Sequence, residues 1–295
     1  MSLQSTSSYP GPPMQPAPAR TISDAELLAA LTSTLRRRGP VALANGLATY
    51  ADPRVKAVVP DRQLRAALAS LAGSPGEYAM NTVRAGVYRR VVFGPTGDGA
   101  IAWVGPSADS SQPTITFNQR YRYEDFRLLG VTFSHETLHQ DPVVNPNEET
   151  IAGALDRATH GRLLLENPRL ASLRTELSRR NNTALTALLN TRDGQGRQRL
   201  RHDNPTVLPR STTPPLPSYA AITLGSTGGT TNTNPAVSPG NAALDHYLGR
   251  TTDARPVGAT FSSATIDLLD ARQNWARPDE RVRLARLLAL DLGPC

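Results

Sequence analysis

The sequence predicts an α+β fold, mostly helical, with a small sheet ahead of a helix that carries two histidines. Three observations predict it. Leucines recur at helical spacing from Leu27 onward, short β-branched and aromatic runs occupy residues 87–117, and helical periodicity returns from Asp125. A chain of 295 residues, 39% apolar, is long enough to bury a substantial core. Its single Cys, Cys295, excludes an internal disulfide framework and a multi-Cys metal site, so any metal falls to His and carboxylates.

Residues 1–20 are Ser/Pro-rich with almost no apolar anchors and are expected to be a flexible tail. Ser23-Asp-Ala-Glu26 then reads as a capping box ahead of Leu27, Leu28, Leu31 and Leu35, and Gly39-Pro40 ends that helix. A second helix is expected over 41–50 and a third from Asp61 to Gly73. Three strands follow at Val87–Phe93, Ala100–Val104 and Thr114–Phe117, separated by Gly, Pro, Asp and Ser. The pattern from Asp125 to residue 140 is helical again, and another helix begins near Asn147 after Pro142 and Pro146. Further helices are expected at 168–179, 183–190, 265–276 and 279–292. Residues 203–243, rich in Pro, Thr, Gly and Asn, read as a long irregular segment.

The formal charge is +7, from 32 Lys+Arg against 25 Asp+Glu, yet Lys56 is the only lysine. Such a skew reflects a preference for arginine codons rather than a designed patch, and the arginines are dispersed. Only Arg36-Arg37-Arg38 forms a run, at an expected helix C-terminus where cations complement the dipole. The reading is therefore no nucleic-acid partner and, with no apolar run of sufficient length, no membrane span. The Pro-rich start resembles the region after a removed export signal, and the scarcity of Cys permits an extracytoplasmic life; together they favour export over a cytoplasmic location. Oligomeric state is not legible.

One segment concentrates chemistry: Ser134-His135-Glu136-Thr137-Leu138-His139-Gln140. Residues four apart share a helix face, so His135 and His139 can converge on one ion while Glu136 reaches a water beside it. A catalytic zinc needs a third protein ligand, and Asn147-Glu148-Glu149-Thr150-Ile151-Ala152, opening the next helix, offers Glu149 or Glu148. Carboxylates in a first helical turn are also favoured by the dipole alone. Asp156, seven residues beyond Glu149, lies on the same helix face and is placed to hydrogen-bond a ligand imidazole. His160, eleven residues beyond Glu149, is about 16 Å away along the helix and reads as structural.

HETLH followed by NEETIA on the succeeding helix resembles the zincin metallopeptidases, and among them the gluzincins, whose third ligand is a glutamate on a later helix. The resemblance covers Thr114 to Asp156 and singles out no family within the clan. The gap from His139 to the glutamates is shorter than in the best-known gluzincins, which leaves Glu149 and Glu148 both open as third ligand. The metzincin pattern is absent, with Pro142 and Asn145 at its Gly and His positions.

The resemblance implies a zincin-like catalytic domain over residues 21–295: an N-terminal lobe, 21–140, ending in the HExxH helix, and a helical C-terminal lobe, 141–295, that includes 203–243. It implies one Zn2+ per chain, a peptide or protein substrate lying along an edge strand formed by Thr114–Phe117, and hydrolysis by a metal-activated water with Glu136 as general base. A second oxyanion stabiliser would come from His246 or Tyr247, then His202 or Tyr219. The alternative from another class is a catalytically inactive zincin-like binding protein with a structural zinc, in which 203–243 occupies the cleft.

Overall fold

The computed structural model describes residues 22–97, 99–107, 110–139, 146–192, 198–200 and 276–290. Ser23 caps α1 (Asp24–Arg36) as its sequence requires: its hydroxyl accepts from the Glu26 N–H, and the Glu26 carboxylate accepts from the Ser23 N–H at 2.9 Å. Pro40 starts α2 (Pro40–Ala51), Pro53 starts α3 (Pro53–Val58), and the Asp61 carboxylate caps α4 (Arg62–Ala69). A short α5 (Tyr78–Arg84) leads to the sheet. Neither α3 nor α5 is foreseen from the sequence, because six or seven residues are too few to display an apolar period.

The sheet contains β1 (Arg90–Gly94), β2 (Ala102–Ser107) and β3 (Ser110–Asn118) in the spatial order β1-β3-β2. β1 runs parallel to β3 with Val91 opposite Ile115, and β2 runs antiparallel to it with Val104 opposite Ile115. Thr114–Phe117, expected at an edge, is thus the middle of the sheet. Ile115 and Phe117 are fully buried, and a strand flanked on both sides keeps its backbone paired where water is excluded. Among the described residues the edges are β1 and β2, and β2 also touches the next helix.

That helix, α6 (Phe126–Glu136), is capped by Asp125 and buries Phe126, Leu128, Leu129, Val131 and Phe133. It crosses α4 at Gly130, where an added Cβ would stand 2.9 Å from the Ala67 carbonyl oxygen. One turn further along, Phe133 meets Phe117 of β3, ring centres 4.8 Å apart. α7 (Pro146–Glu166) packs on α6, and a 3-10 turn (Pro168–Ser172) leads to α8 (Glu176–Leu189). The sequence reads two helices where α8 is one, since Asn181-Asn182 resembles a break. Inside the helix the Asn182 side chain instead bridges His160 and the Ala171 carbonyl. A hairpin of β4 (Asn190–Arg192) and β5 (Gln198–Leu200) follows, and α9 (Pro278–Leu287) returns to α7 and α8.

The architecture is mixed α and β, mostly helical, with one core joining both kinds of element. Among the described residues no helix is long and apolar enough to cross a membrane. The tail 1–20, segment 203–243 and residues 265–275 of the helix expected at 265–276 lie outside the described residues, and Ala276 is in a bend.

Candidate metal centre

α6 ends at Glu136, inside the His-Glu-x-x-His motif, with Thr137 as its C-cap. Thr137 still donates to the Phe133 carbonyl at 3.1 Å, four residues back, but Leu138 and His139 donate to His135 and Glu136, three residues back, each at 3.1 Å. The final turn is therefore wound more tightly, in the 3-10 manner. It is locked by side chains, the Thr137 hydroxyl donating to the Phe133 carbonyl and the Ser134 hydroxyl to the Val131 carbonyl, both at 2.7 Å. From the connection between α5 and β1, the Tyr88 hydroxyl donates to the His139 carbonyl at 2.8 Å and leans toward that of Glu136 at 3.4 Å. A side chain from outside the helix thus meets the carbonyls of its last turn, where the regular four-residue ladder runs out.

His135 and His139 remain on one side, ring centres 5.2 Å apart and planes inclined at 57°. A zinc about 2.05 Å from each ring nitrogen lies about 3.2 Å from each ring centre, so two imidazoles sharing it at a tetrahedral angle have centres about 5.2 Å apart. The separation of the two rings matches that value. His135 Nδ1 lies 3.2 Å from Asp156 Oδ2 on α7. A carboxylate only accepts, so Nδ1 carries a proton, and in the neutral ring that leaves the lone pair on Nε2. Asp156 thus occupies the place its helix face predicts. Glu136 is only 7% exposed.

Glu148 and Glu149 fall in the first turn of α7, the helix that delivers Asp156, but their side chains lie outside the described residues, as does the loop 140–145. Among the described residues no group of three or more His, Cys, Asp or Glu is placed to hold a metal ion. His246, Tyr247, His202 and Tyr219 also lie outside the described residues. His160 is buried one helical turn beyond Asp156, with Nε2 donating to Asn182 Oδ1 at 2.8 Å. Burial lowers its pKa to about 4, against the Asn182 hydrogen bond and the Asp156 charge, so the imidazole is neutral at physiological pH. It belongs to the packing of α7 on α8, as its distance from the glutamates implies.

A separate cavity of about 510 Å³ opens at the opposite end of α6, lined by Asp61, Glu124, Asp125 and Phe126 among others, with no residue of the motif in its wall. Burial raises the Glu124 carboxyl there above its ordinary range. Tyr88 carries no signal in the sequence: a tyrosine in an apolar run reads as core, and only the fold brings its hydroxyl to the motif. No family model matches the chain, and no curated protein or solved structure does either.

Proposed function

We propose that the protein is a zinc-dependent peptidase of the zincin type, with His135 and His139 as ligands, Glu149 or Glu148 completing the set, and Glu136 as general base. The observation that carries this reading is the pair of imidazoles at zinc-sharing separation, one of them oriented through Nδ1 by Asp156. When bound, zinc would polarise a peptide carbonyl and acidify a water. Asp156 holds the His135 ring in the tautomer that leaves Nε2 available, and its negative charge makes that nitrogen a better donor. The Glu136 carboxylate takes the proton of the attacking water and returns it to the leaving amine. Its near-complete burial keeps bulk water from competing for that proton.

β2, an edge strand that touches α6, replaces Thr114–Phe117 as the strand along which an extended peptide would lie. Trp103 on β2 is 49% exposed, and its ring covers Gly105, where an added Cβ would stand 2.5 Å from it.

The test is zinc content and peptide cleavage measured side by side. Glu136→Gln is expected to keep one zinc per chain and lose turnover, and His139→Ala to lose both. Full cleavage by Glu136→Gln refutes the proposal, and wild-type protein that holds zinc but cleaves no peptide in a broad library supports the inactive binding protein instead.

A further inference from the structure

Tyr88, 1% exposed, lies on the connection between α5 and β1. Gly86, in the left-handed region at φ +73°, ends the turn after α5, and its carbonyl is held by the Gln112 side chain. On the other side the Arg89 N–H donates to the Pro113 carbonyl at 2.9 Å, fastening the segment to β3. The phenol is thus fixed by the sheet, and its hydroxyl meets the motif at the carbonyls of His139 and Glu136. His139 is past the end of the α-helical ladder, and its N–H donates to the Glu136 carbonyl. A carbonyl held in direction fixes the backbone torsions around it, and through them the direction of the adjacent side chain.

We propose that Tyr88 is a positioning residue of the metal centre: its hydroxyl sets where the His139 imidazole stands relative to His135. The inference rests on the zinc reading above. It predicts that the second ligand is steered from the sheet, while the first is steered from α7 by Asp156.

The test is the zinc affinity of the full-length chain by chelator competition, with the absorption spectrum of the cobalt(II)-loaded protein as a second readout. Tyr88→Phe keeps the buried ring and removes only the hydroxyl. It is expected to bind zinc about 10-fold more weakly, as when a residue orienting a ligand is lost, and to shift the cobalt bands. Thr34→Val serves as control, because it removes a buried side-chain hydrogen bond, to the Ala30 carbonyl at 3.0 Å, in a different helix. It should lower stability and leave zinc affinity and cobalt bands unchanged.

Wild-type affinity in Tyr88→Phe overturns the proposal, and so does an equal loss in Thr34→Val. A wild-type chain that takes up no zinc ends the metal reading itself and the role of Tyr88 with it, a result distinguishable because it is read before any substitution. Should Tyr88→Phe not fold, 3-fluorotyrosine installed in place of Tyr88 is a stronger donor and is expected to tighten zinc; unchanged affinity there overturns the proposal.

Discussion

Acid should destabilise the metal-free protein through His160, by an amount its burial sets. The imidazole is 1% exposed, donates Nε2–H to Asn182, and has its pKa lowered from 6.5 to about 4. In the unfolded chain the same ring takes a proton near 6.5. Between those values the unfolded state binds more protons than the native one, so stability rises with pH across the window and is lost as pH falls from 6.5 toward 4. Traversing the whole window costs about 3 kcal/mol, and the part of it above pH 5 about 2 kcal/mol. Against a total of roughly 5–15 kcal/mol for a typical domain, that is readily measured.

The assay is urea unfolding in the presence of a chelator at pH 7.5 and pH 5, on the wild type and His160→Gln. Gln offers a donor to Asn182 and does not titrate. The variant is expected to be less stable at pH 7.5 through imperfect packing, but to lose about 2 kcal/mol less than the wild type on going to pH 5. Parallel losses in the two proteins would refute the reasoning, because they would mean that His160 takes up its proton as readily in the fold as out of it.

Two further outcomes follow from contacts around α6. Asp156→Ala is expected to weaken zinc binding by about 10-fold or more by chelator competition, with Asp156→Asn intermediate because its amide oxygen still accepts from His135 Nδ1; equal affinity in all three proteins would show that the carboxylate does not orient the ring. Gly130→Ala gains about 1 kcal/mol of helix propensity, but its methyl would stand 2.9 Å from the Ala67 carbonyl oxygen and 3.0 Å from the Ser70 hydroxyl. Overpacking costs about 1–3 kcal/mol, and a helical carbonyl has little freedom to move away. A net loss of about 1 kcal/mol in urea unfolding is expected, and a variant as stable as the wild type would place α4 and α6 further apart.

Features written in short-range chemistry were legible. The capping box at Ser23, the three β-branched runs and the return to helix at Asp125 each depend on a few adjacent residues; the cap and the helix start appear where the pattern puts them, and each run overlaps a strand, with ends shifted by up to four residues. Strand order was not, because which strand ends in the middle depends on partners far along the chain. Arg38 shows the same limit. In sequence it belongs to a run suited to a helix terminus, yet it turns inward, 3% exposed, to pair with Glu166 at 2.7 Å and to donate to the carbonyls of Ser70 and Ala72. A buried cation so far from its partner in the chain leaves no local trace.

The candidate site divides along the same line, and the division bears on what holds it together. Four-residue spacing brings His139 under His135 only if the helix stays regular, at about 100° per residue. It does not: Thr137 donates the last four-residue bond, and beyond it a turn of about three residues rotates each step by about 120°. The rings nevertheless stand 5.2 Å apart. The motif alone therefore does not account for the placement of its own second histidine. Tyr88, which only the packing of the sheet connection against α6 supplies, holds that residue's carbonyl from outside the motif, while Asp156, which helical periodicity on α7 made legible, orients the first histidine. A site fixed from two separate elements should lose metal affinity when either is cut without any change in the motif, whereas a site fixed by helix geometry alone would be indifferent to both.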